Sequence, residues 1–70
     1  MIITVNGKTR LVEQGPRDST PLVEVLTALG LDPMTVAVEV NSAFLPRAEM
    51  ASTSIQEGDR LEVVRMVCGG

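Results

Sequence analysis

The residues whose types and spacing could do chemistry lie at the C-terminus, where Cys68 precedes Gly69-Gly70. A segment that must thread into a confined site has to be narrow and free in φ, and only glycine offers both. At rest a carboxylate is a poor acyl donor. It becomes reactive only when an anhydride supplies a leaving group, so a Gly70 carboxylate with any acyl chemistry would have to be activated by another enzyme, with Gly69 as the threading residue. Any residue added after Gly70 would replace the α-carboxylate with an amide that cannot accept an adenylyl group. Terminal glycines by themselves are a weak signal, common in frayed ends and cloning remnants. Their weight depends on the domain that carries them.

The other side chains offer little catalytic equipment. The chain has no histidine, which removes the commonest general base and metal ligand. The single cysteine forms no internal disulfide. With Arg65 as its only nearby cation, Cys68 has no evident activation and reads as an incidental thiol. Glu57, Asp59 and Glu62 read as a turn with an acidic edge whose spacing does not match a calcium loop. No bound metal or cofactor is expected. Arg47, Arg60 and Arg65 are scattered cations, and Arg47 reads as a solvated residue or a weak local ion pair.

Seventy residues, 44% apolar and 21% charged, make one small globular domain with no room for a deep active site. The only aromatic residue is Phe44, read here as core, so stacking platforms for nucleic acid are missing. A net charge of −3 repels phosphate backbones and anionic lipid and suits a partner protein with a basic face. Met1 to Val5 lacks a signal-peptide pattern and no run approaches the length of a membrane span, so a cytoplasmic location without membrane or nucleic-acid contact is expected.

The elements that must position the tail follow from local pattern. Ile2, Ile3 and Val5 precede Asn6-Gly7, the dipeptide best suited to a type I′ hairpin turn. The second arm, Lys8 to Glu13, alternates poorly, leaving open whether Leu11 or Val12 points inward, and Gln14-Gly15-Pro16 ends it. Thr20 before Pro21 has the form of an N-cap followed by proline at the first helical position, with Glu24 in the first turn. Leu22, Val25, Leu26 and Leu29 make one apolar stripe, and Gly30 ends a helix of about two and a half turns.

Val36, Val38 and Val40 alternate as a half-buried strand facing that helix, with a turn at Asn41-Ser42. Phe44-Leu45 is a short extended piece that Pro46 restricts to an edge, and Arg47 to Ser54 is a polar stretch. After the Glu57-Gly58-Asp59 turn, a strand from Arg60 to Val67 puts Leu61 and Val63 inward and Glu62, Val64 and Met66 outward. These elements describe a single α+β domain over residues 1–70, a β-grasp with a mixed sheet of four to five strands, one main helix and a flexible tail at 67–70. The apolar residues on the outer side, Val64 and Met66 with Val67, are candidates for partner docking, methionine being adaptable to more than one surface.

Val36-Ala37-Val38-Glu39-Val40-Asn41, Leu45-Pro46-Arg47, Ala51-Ser52-Thr53, Gly58-Asp59-Arg60-Leu61-Glu62-Val63-Val64 and the closing Gly69-Gly70 together resemble the ThiS family of ubiquitin-like sulfur carriers. The resemblance covers about half the chain. It implies a carrier of thiamine thiazole biosynthesis that catalyses nothing itself. Gly70 would be adenylated by a ThiF/MoeB-like enzyme with that enzyme's ATP and magnesium, then converted to a thiocarboxylate by sulfur from a donor such as a cysteine desulfurase. A ThiG-like thiazole synthase would accept the sulfur. Two positions depart from the family pattern: Cys68 stands where a third glycine is common, and Ser42 where the turn often carries glycine. The first leaves the acceptor open, since molybdopterin and tungstopterin carriers also end in two glycines. A ubiquitin-like modifier forming isopeptide bonds and a passive β-grasp interaction domain are the alternatives outside sulfur transfer.

Overall fold

The opening hairpin forms where Asn6-Gly7 places it. In the structure, a computed structural model that describes residues 1–13 and 17–66, strand β1 (Ile2–Val5) pairs antiparallel with β2 (Lys8–Leu11), Val5 opposite Lys8. Asn6 and Gly7 take φ of 51° and 82°, the sign that a two-residue type I′ connection needs. The open question on the second arm is settled by the strand's end. Leu11 closes β2 opposite Ile2 and is exposed, whereas Val12 lies beyond the strand, donates its N–H to Met1 and is buried. The expected break at Gln14-Gly15-Pro16 lies outside the described residues.

A five-stranded mixed sheet runs in the order β2-β1-β7-β4-β5, with β4 spanning Val36–Val40, β5 Ala43–Leu45 and β7 Arg60–Arg65. Strand β7 is central, parallel to β1 and antiparallel to β4. Helix α1 (Leu22–Ala28) covers one face, burying Leu22, Val25 and Leu26 against Ile3, Val5, Val36, Val38, Leu61 and Val63. Leu29 caps the helix and Gly30 leaves it at φ 79°. No helix among the described residues is long and apolar enough to cross a membrane.

Four expectations are corrected. The stretch after Pro46 is not polar throughout: a 3-10 segment, Arg47–Ser52, buries Met50, and β6 (Ser54–Gln56), which begins at its end, buries Ile55. Strand β6 pairs with a further short strand, β3 (Ser19–Pro21). That pairing overturns the second expectation, that Thr20 caps the helix. Thr20 is extended, as a residue before proline prefers to be, and sits opposite Ile55. Pro21 occupies the capping position without a side-chain bond, and Leu22 donates its N–H to the Thr53 carbonyl at 2.8 Å.

Third, Phe44 is not core but 67% exposed. It aligns with Glu39 across the β4–β5 ladder, on the face away from the helix, and one helix covers only the other side. Fourth, the last strand stops at Arg65, one residue before Met66.

The corrected position of Thr20 has an energetic consequence. Its hydroxyl is buried with no hydrogen-bond partner among the described residues, and a buried unsatisfied hydroxyl costs about 1–3 kcal/mol. Thr20→Val keeps the β-branched shape that suits β3 and removes the polar atom. The variant is expected to gain about 1 kcal/mol, raising Tm by roughly 4–8 °C for a domain of this size. A Tm that falls would show that the hydroxyl is satisfied.

Candidate functional site

The tail leaves from the middle strand of the sheet, and the residues around its root hold that strand by backbone hydrogen bonds. Strand β1 ends at Val5, level with Leu61, so among the described residues the rest of β7 has no strand beside it on that flank. The Asn6 side chain takes the place of the missing strand. Its amide donates to the Val63 carbonyl at 3.0 Å and its carbonyl accepts from the Val63 N–H at 2.7 Å. Asn41, in the second positive-φ turn, does the same near the start of β7, accepting from the Arg60 N–H at 2.9 Å and donating to Asp59 at 3.1 Å. Both turn asparagines therefore serve two purposes: they tolerate positive φ and they tie down the strand that leads to the tail.

On the opposite flank, Met66 donates its N–H to the Thr35 carbonyl at 2.8 Å. Arg47 lies across this junction. Its guanidinium donates to the carbonyls of Pro33 at 3.1 Å and Val36 at 3.0 Å, and lies 3.9 Å from the Met66 sulfur. Arg47 is thus not simply solvated, and among the described residues it is not ion-paired: it fastens the start of β4 to the last described residue before the tail. A fork of five donors makes arginine suited to such multiple anchoring.

The docking candidates divide. Val64 and Met66 are 63% and 44% exposed; Val64 projects from the face opposite the helix, as alternation with the buried Leu61 and Val63 requires, and Met66 lies just past the strand end beside Arg47. Val67, Cys68, Gly69 and Gly70 lie outside the described residues. Phe44 joins Val64 on this face, and a shallow depression of about 70 Å³ between them is lined by Ala37, Val38, Glu39, Phe44, Glu62 and Val64. Sequence reasoning missed Phe44 as a surface residue, and the available signal was Pro46, which already restricts Phe44-Leu45 to an edge. Among the described residues no group of three or more acidic or cysteine side chains is placed to hold a metal ion.

The ladder order, the single helix and the central strand feeding the terminal glycines define a ubiquitin-like β-grasp protein. The chain belongs to the ThiS family, which it matches over residues 3–70. A crystal structure of the thiamine biosynthesis protein ThiS from Geobacter metallireducens superposes with a TM-score of 0.79 at 34% identity, covering all of both chains. A solution structure of a thiamine biosynthesis protein from the same organism gives 0.75 at 34% identity, over all of this chain and 88% of the other. Two curated relatives are larger proteins. The thiazole synthase of Magnetococcus marinus is 39% identical, and that of Paramagnetospirillum magneticum 33%, each over all 70 residues of this chain but only 20% of its own length. The chain therefore spans about one fifth of the curated relatives it matches.

Proposed function

We propose that this chain is a sulfur carrier of thiamine biosynthesis, working in the cytoplasm as the substrate of other enzymes rather than as a catalyst. The observation that carries the reading is the descent of Gly69-Gly70 from the anchored central strand of a ThiS-family β-grasp domain. A folded domain whose chain continues from an anchored strand into a glycine-glycine end can be gripped by its body while that end enters a distant site. With Gly70 as the terminal residue, one carboxylate oxygen attacks the α-phosphorus of ATP on the activating enzyme and pyrophosphate leaves. Hydrosulfide then attacks the acyl carbon, AMP leaves, and loss of a proton leaves a thiocarboxylate on Gly70; where the donor is an enzyme persulfide, the acyl disulfide formed first is cleaved by a second thiol, which leaves joined in a disulfide to the donor cysteine. Magnesium in this step belongs to the activating enzyme's nucleotide.

The acceptor in this reading is a thiazole synthase. Support comes from the two relatives of that name, each of which contains a segment aligned with the whole of this chain. Val64, Met66 and Val67 form part of the surface that partners grip, the first two being exposed beside the tail root.

Reconstitution tests the acceptor. The carrier, charged by an adenylating enzyme and a cysteine desulfurase, is offered in parallel to a thiazole synthase with its carbon substrates and to the large subunit of molybdopterin synthase with its precursor. Thiazole formation proportional to charged carrier is expected. Sulfur transfer only in the molybdopterin arm would reassign the pathway, and appearance of lysine-linked conjugates instead of either product would reassign the protein as a modifier.

A further inference from the structure

The outer face of the sheet contains an arrangement that folding alone does not explain. Glu39 and Glu62 are direct partners across the β4–β7 ladder, and like charges directly opposite one another destabilise a sheet. Both are exposed and neither is in an ion pair among the described residues. Arg60, two residues before Glu62 on the same face, is not within ion-pair distance of either. The next positions toward the tail are apolar: Ala37 opposite Val64, with Phe44 beside Glu39 on the edge strand. All of these residues border the depression of about 70 Å³. The site has an apolar wall and floor and a doubly negative rim.

We propose that this depression receives one arginine or lysine side chain from the enzyme that adenylates Gly70. The aliphatic stem of such a residue lies along Ala37 and Val64, as long cationic side chains do on apolar surfaces. Its head sits between the two carboxylates and against the ring of Phe44, where a cation is attracted to the face of the ring. A guanidinium fits best, because its planar fork reaches two carboxylates and stacks on a ring at once. Charge complementarity selects this occupant: a neutral side chain would leave two facing carboxylates partly desolvated, and an acidic one would add a third like charge. The location selects the enzyme, since the site lies on strand β7, from which the chain runs on to the tail, and one body must hold the domain while the tail is threaded. The assignment rests on the carrier reading above.

The test measures steady-state adenylation of the full chain by its cognate adenylating enzyme as a function of salt, for the parent, the double variant Glu39→Gln with Glu62→Gln, and Phe44→Ala. For the parent, KM is expected to rise with ionic strength. The double variant is expected to show a KM about tenfold higher at low salt, nearly independent of salt, with kcat unchanged, the pattern of lost binding rather than lost chemistry. Its Tm is expected to rise, because the facing charges are gone. A general loss of structure cannot raise Tm and KM together. Phe44→Ala is expected to raise KM severalfold with Tm held. A double variant with the parent's KM and salt slope overturns the proposal. Unchanged adenylation combined with weakened binding to a thiazole synthase, or with altered self-association of the carrier, assigns the face to those occupants and overturns it as well. If the parent itself is not adenylated, the carrier reading fails and takes this assignment with it.

Discussion

Deleting Gly70, or adding one residue after it, is expected to lower adenylation by the activating enzyme at least a hundredfold while the domain remains folded. The two changes act differently. An added residue turns the Gly70 carboxylate into an amide, which has no anionic oxygen to attack the nucleotide, and moves the terminal carboxylate about 3.5 Å beyond that position. Deletion leaves a carboxylate on Gly69 but withdraws it by one residue, about 3.5 Å of extended chain, and a misplacement of about 1 Å in a reacting group already costs on the order of a hundredfold. Folding is spared because, among the described residues, the last core side chain is Val63 and strand β7 ends at Arg65. ATP–pyrophosphate exchange reads the first effect and circular dichroism the second. Exchange at the parent rate in the extended chain would falsify activation at the Gly70 carboxylate.

Leu26→Ala is expected to cost about 2–5 kcal/mol. Leu26 is fully buried in the middle of the single helix, and its truncation leaves a cavity between that helix and the sheet. The helix has seven residues, too few to persist without tertiary packing. Native stabilities near 0.05–0.15 kcal/mol per residue give a domain of this length only about 4–10 kcal/mol, so the loss removes a large part of the total. Urea titration is the appropriate measurement, the midpoint moving sharply downward with the slope unchanged. A midpoint within experimental error of the parent's would show that Leu26 does not face the core.

The contrast between those two positions shows what a sequence of this kind makes legible. Leu22, Val25 and Leu26 reveal themselves through helical spacing, Val36 and Val38 through alternation, and the two hairpin turns through residues that tolerate positive φ, so the helix, the central strands and the β-grasp plan are all readable. Strands β3 and β6 are not. Each has three residues and one inward side chain, Thr20 and Ile55, which is too short for any period to appear. Thr20 misleads for the same reason: its local chemistry favours a helix cap, and a pairing with residues far along the chain overrides it. Phe44 misleads because hydrophobicity does not tell which side of an edge strand is covered.

At the site, alternation places Val64 and Met66 outward. The anchoring by Asn6 and Arg47 stays hidden, because it joins side chains to carbonyls and amides distant in the chain. The facing of Glu39 and Glu62 is a matter of ladder register, which only the three-dimensional pairing sets.

The measurement that bears most directly on the central claim is the mass of the C-terminal fragment after the carrier has been incubated with its activating enzyme, ATP and a sulfur source. Intact mass alone is insufficient. Oxidation of any of the four methionines, or of Cys68 to a sulfenic acid, nearly matches the gain from exchanging oxygen for sulfur. The fragment is therefore compared between the parent and Cys68→Ser, with and without a thiol-directed alkylating reagent. The account predicts that both proteins gain one sulfur in place of one oxygen at Gly70, and that both are alkylated there. Loading that disappears with Cys68, while Gly70 keeps an ordinary carboxylate, would contradict it and make the cysteine the carrier atom.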